Sequence, residues 1–266
     1  MHRFFPSPTV SAVHFGFLTI HFYALAILIG IVCAIYVGRI SYSRAGGDPE
    51  EIVDIAFYAI PSGIIGGRLY HVVTTPDSYF GKNGHPLDSF KIWEGGMGIW
   101  GAIALGTFVS YKVFNRKKRS LTFLDFADAL APGLFIAQGI GRWGNYFNIE
   151  LFGKPSELPW ALSVPLSNRP IGYETFQTFH PTFLYESLWC LAGAALLFFL
   201  PRRANLKSGA LFLGYIAFYC LGRLGIESLR IDAAHHLLGM RINIWVSALG
   251  FCVASLFLYQ KAKPAR

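Results

Sequence analysis

Two groups of polar residues interrupt an otherwise apolar chain, and their types and spacing suit the handling of a phosphate. In Tyr219-Cys220-Leu221-Gly222-Arg223-Leu224-Gly225-Ile226-Glu227-Ser228-Leu229-Arg230, residues Arg223, Glu227 and Arg230 stand at i, i+4 and i+7. That spacing sets them on one helical face. An Arg–Glu–Arg ion pair that locks two helices accounts for the pattern structurally. Two arginines against one carboxylate also leave a positive charge over, and a planar guanidinium can hold a phosphate through two donors. The second group is Gly141-Arg142-Trp143-Gly144-Asn145-Tyr146-Phe147-Asn148-Ile149-Glu150-Leu151-Phe152-Gly153. A helix cap explains one asparagine; it does not explain Arg142 and Glu150 as well. The glycines allow close backbone approach.

Smaller signals accompany these groups. Glu186 lies inside an apolar run that His180 and Pro181 open. A carboxylate there needs a partner, and an arginine is the natural one. Arg68 stands in Gly66-Gly67-Arg68-Leu69-Tyr70-His71 near a run's end, where snorkelling to the interface accounts for it. Tyr23 and His21 begin the first run, and an aromatic belt accounts for Tyr23.

The elements that position these residues are membrane helices. The chain has 266 residues, 53% hydrophobic and only 14% charged, with a mean hydropathy of +0.43. Soluble domains are about a quarter charged. A spanning helix needs roughly 20 mostly apolar residues. Seven such runs lie near 18–38, 52–74, 97–114, 121–140, 181–201, 208–228 and 243–261. The third and fourth are short or broken by Asp125, Asp128 and Pro132. The first run is long, ends in Arg39 and Arg44, and has no A-x-A site, so it reads as a retained helix and not a removed signal peptide. Basic residues gather at Arg39 and Arg44, at Lys112 to Arg119, at Arg202 to Lys207 and in the tail. All fall on one side of a seven-span topology. The positive-inside rule then places the N-terminus outside and the C-terminus in the cytoplasm.

The predicted fold is an all-α integral membrane protein of about seven transmembrane helices, a single polytopic domain over residues 1–266. Residues 141–180 form an extracytoplasmic loop or head region within it. Pro155, Pro159, Pro165 and Pro170 make that stretch irregular, and its aromatic residues predict that it is ordered. No internal repeat of the kind found in secondary transporters is visible.

The net charge of +8 does not indicate nucleic acid, because the basic residues form short clusters between apolar runs. Cys33, Cys190, Cys220 and Cys252 all fall inside apolar runs without CxxC spacing and read as small buried side chains. No His/Asp/Glu set has metal-ligand spacing, so neither a metal nor a cofactor is expected.

Gly141 to Gly153 fits, without mismatch, the pattern G-R-x-G-N-x-[apolar]-N-x-E-x-x-G of the bacterial prolipoprotein diacylglyceryl transferases, which the chain resembles. Tyr23, Gly66-Gly67-Arg68-Leu69-Tyr70, Trp93-Glu94-Gly95-Gly96-Met97, His180-Pro181 with Tyr185-Glu186, and Arg223, Glu227 and Arg230 are similar to the same family in the same order. The resemblance implies an enzyme of the bacterial cytoplasmic membrane with its site toward the outer leaflet. It implies transfer of the diacylglyceryl group of phosphatidylglycerol to the lipobox cysteine thiol of a preprolipoprotein, as the first step of lipoprotein maturation. A thioether forms and glycerol 1-phosphate leaves. Arg142 and Arg223 would clamp the phosphate, and Arg230 and Arg68 would extend the clamp or bind the head group. Asn145 and Asn148 would bind head-group hydroxyls or orient the clamp. Glu150, Glu227 and His180 stay open as bases or orienting partners, with Tyr23 and Glu186 beside the substrate. One departure stands out: Trp100 occupies a position where many family members carry a histidine. A transporter would instead spread polar groups across the bilayer and on both sides, and a scaffold has no use for a full signature.

Overall fold

The structure is a computed structural model that describes residues 4–16, 18–82, 84–199 and 206–262. The predicted basic residues Arg202, Arg203, Lys263 and Arg266, and the end of the run at 201, lie outside these. All seven apolar runs are helices. Six are long and apolar enough to cross a membrane: α1 (Phe22–Arg44), α2 (Glu50–Thr74), α5 (Phe123–Asn148), α6 (Thr182–Phe199), α7 (Ala210–Leu229) and α8 (Ile242–Ala262). Between α2 and α5 come the short α3 (Asp77–Phe80) and the shorter apolar helix α4 (Ile99–Phe114). The chain is thus a multi-pass, almost wholly helical membrane protein. Hydropathy placed the end of the fourth run near 140, but α5 continues to Asn148. Its last two turns are polar on one side, which a hydropathy window reads as the end of the segment.

The chain forms two compact units, one comprising residues up to Ser41 and from Leu124 onward, the other Tyr42–Phe123. In the second unit, α2 and α4 meet at Gly66 and Gly101, where each helix's backbone carbonyl occupies the space of the other's Cβ. Close approach through small residues is how helices pack in lipid, where apolar burial gives no net drive. At the other end of these helices Glu51 pairs with Arg119 at 2.8 Å and accepts a hydrogen bond from Tyr42 Oη at 3.1 Å. Arg119 also lies over the Phe114 ring, 4.5 Å from its centroid.

In the first unit, α1 and α5 pack through Gly30, Ala34, Gly133 and Ala137; a Cβ on Gly133 would lie 2.6 Å from the Ala34 carbonyl oxygen. Phe135 of α5 and Cys190, Ala194 and Leu197 of α6 form a buried core against Tyr215 and Phe218 of α7. Trp189 joins α6 to α7, donating from Nε1 to the Phe218 carbonyl at 2.8 Å and stacking on its ring. All four cysteines are free thiols.

The stretch after α5 is ordered round its own aromatic core of Phe152, Leu162, Val164, Phe179 and Phe183. Strand β1 (Phe5–Pro6) pairs in parallel with β4 (Leu162–Ser163), which pairs antiparallel with β5 (Thr178–Phe179). Phe5 sits 5.4 Å from Tyr146, and Tyr146 sits 4.9 Å from Phe183. Two hairpins lead into helices: β2 (Ala12–Phe15) with β3 (Leu18–His21) before α1, and β6 (His236–Leu237) with β7 (Met240–Arg241) before α8.

Asp128, which breaks the apolar pattern of α5, has a structural use. Its Oδ2 accepts from Gly209 N at 2.7 Å and its Oδ1 from Phe212 N at 2.8 Å, so it caps the start of α7 from a neighbouring helix. An anion there also suits the helix dipole. Replacing a capping carboxylate by alanine costs about 1 kcal/mol. Asp128→Ala should therefore lower the thermal unfolding midpoint of the detergent-solubilised protein, and Asp128→Asn, which keeps one acceptor oxygen but sets an amide donor against the other N–H, should recover only part of the loss.

Candidate active site

The polar side chains converge where α5 ends, α6 begins, α7 ends and α8 begins. Arg142 reaches from α5 to Glu186 in the second turn of α6, Nε to Oε2 at 2.8 Å. Arg223 of α7 donates to both oxygens of the same carboxylate through Nη1, at 3.1 and 3.3 Å. Its Nη2 lies 2.6 Å from Glu227 Oε2, one turn along the same helix. Glu227 Oε1 accepts from Arg241 Nε at 2.6 Å and from Asn243 Nδ2 at 3.1 Å. Arg241 continues to Asp232, Nη2 to Oδ2 at 2.9 Å and Nη1 to its carbonyl at 2.7 Å. Arg230 Nε pairs with Asp232 Oδ1 at 2.7 Å.

These contacts make one ladder in which charges alternate: Arg142, Glu186, Arg223, Glu227, Arg241, Asp232, Arg230. It begins and ends with an arginine, so the directly paired groups carry one positive charge over. Glu227 is fully buried and Glu186 is 5% exposed. Such carboxylates stay charged only where cations and donors surround them. Asp232 is held below the ordinary carboxylate range: burial opposes its charge, but Arg230 and Arg241 outweigh burial.

The thirteen-residue signature meets the ladder at Arg142. Arg142 Nη1 donates to Asn145 Oδ1 at 3.3 Å, and Asn145 Nδ2 donates to Glu150 Oε1 at 2.8 Å. Asn148 Nδ2 reaches the same oxygen at 3.3 Å. Glu150 can turn back under the helix because its neighbours adopt left-handed backbone, Ile149 at φ 52° and Leu151 at φ 58°. Non-glycine residues there cost on the order of 1–3 kcal/mol each. Thr182 Oγ1 donates to the Leu151 carbonyl and holds that conformation. Gly153 then runs between two backbones, donating to the His180 carbonyl at 2.9 Å and bridging to Arg230. A Cβ on Gly153 would meet His180 Cβ at 2.9 Å.

The structure brings Arg142, Asn145, Asn148, Glu150, Glu186, Arg223, Glu227 and Arg230 into this connected set. Of the Arg–Glu–Arg pairing that the spacing allows, only Arg223 is in direct contact with Glu227; Arg230 turns to Asp232, and Arg241 is the second arginine at Glu227. Tyr23 packs on Gly144, whose Cβ would lie 2.5 Å from the ring. His180 stands at the margin, its Nδ1 3.1 Å from Tyr185 Oη, which also accepts from Trp160 Nε1 at 3.1 Å.

Arg68, expected to extend the clamp or bind the head group, belongs to the other unit. It is buried and gives its donors to backbone carbonyls: Ser89 at 2.8 Å, Gly95 at 2.6 Å, Gly96 at 3.1 Å, and Asp88. It organises the 88–96 loop, with its guanidinium over the Tyr79 ring. Trp100 is in the first turn of α4 and is 55% exposed.

Arg241, Asp232 and Asn243 were not singled out in the sequence. Arg241 directly precedes an apolar span, where a snorkelling arginine is ordinary. The one signal for it was the need of Glu227, in the last turn of α7, for more than one cation.

Fold and site together define a multi-pass helical membrane protein with an arginine–carboxylate ladder at one end of four helices. The family described as prolipoprotein diacylglyceryl transferase matches residues 10–260. Relatives named phosphatidylglycerol–prolipoprotein diacylglyceryl transferase include one from Paenarthrobacter aurescens, 48% identical over 98% of this chain and 85% of its own. One from Bifidobacterium adolescentis is 46% identical over 98% of this chain and 81% of its own. A third, from Cutibacterium acnes, is 49% identical over 95% of this chain and 85% of its own. The chain belongs to the prolipoprotein diacylglyceryl transferase family.

Two outcomes check this geometry. Arg241→Ala leaves Glu227 and Asp232 each short of a cation, and breaking a buried pair from one side costs about 3–5 kcal/mol. Thermal unfolding should show a large loss, and adding Glu227→Gln should restore part of it, since the stranded charge is then gone. The His180 imidazole is pushed below its ordinary 6.5 by burial and by the Lys154 charge. Its contribution to stability is therefore intact above pH 6.5 and declines as pH falls from there toward the depressed value. Histidine NMR titration in detergent should give a midpoint under 6.5, which Lys154→Ala moves upward.

Proposed function

We propose that this protein transfers the diacylglyceryl group of phosphatidylglycerol to the thiol of a lipobox cysteine in a preprolipoprotein, releasing glycerol 1-phosphate. The protein works in the bacterial cytoplasmic membrane with its N-terminus outside and its C-terminus in the cytoplasm. The ladder then faces the outer leaflet, and residues 141–180 form the extracytoplasmic head. Family membership and the relatives' names support the reaction. The observation that carries the site is that Arg142 and Arg223, from two helices, converge on one carboxylate, Glu186.

The thiol sulfur attacks the glyceryl carbon and the phosphate ester leaves, so negative charge grows on the phosphate. Arg142 and Arg223 meet that charge with fixed guanidinium donors, the strongest kind of help such a step can receive. Arg142 Nη2 has no hydrogen-bond partner among the described residues, nor have the two Nη groups of Arg230. These are open donors for an anion. Asn145 and Asn148, fixed by Glu150, orient Arg142 and offer amide groups to the glycerol hydroxyls. A free thiol ionises near pH 8.5, and neighbouring guanidiniums favour the thiolate.

The test is transfer from labelled phosphatidylglycerol to a lipobox peptide in detergent. Removing one electrostatic donor costs roughly 100- to 1,000-fold. Arg142→Ala and Arg223→Ala should each abolish measurable thioether while still inserting into membranes. Wild-type transfer by either variant would remove the clamp from this reading.

A further inference from the structure

We propose that Glu186 takes the proton of the attacking thiol, after yielding Arg142 and Arg223 to the phosphate of the lipid. The inference rests on the transferase reading above and names the group it left open. Four carboxylates are within the connected set, and their partners separate them. Glu150 is exposed, is held by two asparagine amides, and makes no ion pair among the described residues. Glu227 has no exposure and is fixed between Arg223, Arg241 and Asn243. Asp232 is tied to Arg230 and Arg241. Glu186 alone is held only by the two arginines that a phosphate would use. Its two oxygens sit on them as two oxygens of a phosphodiester would. In this structure Glu186 occupies the place of the anion.

The charge count favours exchange. Before the reaction the two guanidiniums face two negative charges, the carboxylate and the phosphodiester. In the step, a carbon–sulfur bond forms and the carbon–oxygen bond to phosphate breaks, its electron pair staying on oxygen. The phosphate becomes a monoester with a second negative charge. If the thiol proton goes to Glu186, that carboxylate becomes neutral as the phosphate gains its charge, and the two guanidiniums again face two negative charges. The total charge of the site is therefore constant through the step, so no further net charge is buried. An exchanged carboxylate in such a place is also stabilised by taking a proton, because an unpaired buried charge is costly. The proton then passes to the departing phosphate monoester, whose second ionisation lies near pH 6.

The groups facing Glu186 fit this use. Arg142 comes from α5 and Arg223 from α7. Beside Glu186 and Arg223 is a small recess walled by Trp189, Cys190, Tyr219 and Gly222. Its volume of about 10 Å³ is on the order of one water.

Glu186→Gln separates this from a carboxylate that only locks helices. The transfer rate constant should fall about 100-fold or more, the scale of general-base catalysis. Inhibition by added glycerol 1-phosphate should strengthen about tenfold, because the arginines lose their internal competitor. The acid limb of the wild-type rate profile should vanish. Glu186→Asp keeps a carboxylate with shorter reach, so its acid limb should persist while glycerol 1-phosphate binds more tightly than to wild type. Glu186→Gln with an unchanged rate constant overturns the proposal. So does weaker glycerol 1-phosphate inhibition in either variant, the outcome expected of a lock. Should Glu186→Gln fail to fold by thermal unfolding, the two Glu186→Asp measurements decide. Arg142→Ala and Arg223→Ala run alongside: activity in those variants defeats the clamp itself, whereas their inactivity beside an active Glu186→Gln defeats this inference alone.

Discussion

A carboxylate with almost no exposure to water must be surrounded by cations or donors, and most of the first unit's architecture follows from that constraint at Glu186 and Glu227. Removing a charge from water costs several kcal/mol even after relaxation. Each carboxylate here is met by two arginines drawn from different elements. Glu186 ties α6 to α5 and α7, and Glu227 ties α7 to the hairpin that opens α8. Small residues set how closely these helices approach, but small-residue packing is permissive about sliding along the axis. The ion pairs are not. A one-residue shift of α7 would carry Arg223 about 100° round the helix, away from Glu186.

The signature from Gly141 to Gly153 can be understood as a device for ending a helix in a fixed way. Arg142 and Asn145 lie on the last turns of α5, so their spacing is helical. Glu150 does not continue that helix; left-handed backbone at Ile149 and Leu151 returns it to Asn145. Strain of that kind persists only where the surroundings over-determine it. Here Thr182 holds the Leu151 carbonyl and Gly153 is inserted between the His180 and Arg230 backbones. The pattern therefore needs glycine at its end for room, and asparagine and glutamate for reach.

Much of this was legible in the sequence because the relevant spacings are local. The apolar runs marked the seven helices, and the i, i+4 pair Arg223 and Glu227 is a contact in the structure. Glu186 was marked as needing an arginine and has two. What could not be read depended on long-range pairing. Arg241 meets Glu227 across a hairpin, and nothing local distinguishes it from a snorkelling arginine. Arg68 stands near a helix end, where snorkelling would account for it; its burial among loop carbonyls could not be read, because carbonyl direction is a property of the loop's fold and not of its composition. Hydropathy ended α5 too early, since polar residues in a helix's last turns lower the window average without ending the hydrogen-bond ladder.

The ladder also decides between chemistry at one face and passage through the bilayer. A translocation path needs polar groups in succession from one side to the other. No Asp, Glu, Lys or Arg occurs in α5 from Ala129 to Gly141, in α6 from Ser187 to Phe199, in α7 from Ala210 to Gly222, or in α8 from Ile242 to Gln260. Asp128, on the far side of that gap, is occupied as the cap of α7. Glu186, which the sequence places inside an apolar run, lies only in the second turn of α6. Its depth is shared by Arg142 and Arg223, near the ends of α5 and α7, so the buried carboxylate belongs to the same end as the rest. Charges concentrated at one end, paired laterally between helices and not along them, fit an enzyme that meets its lipid from one leaflet.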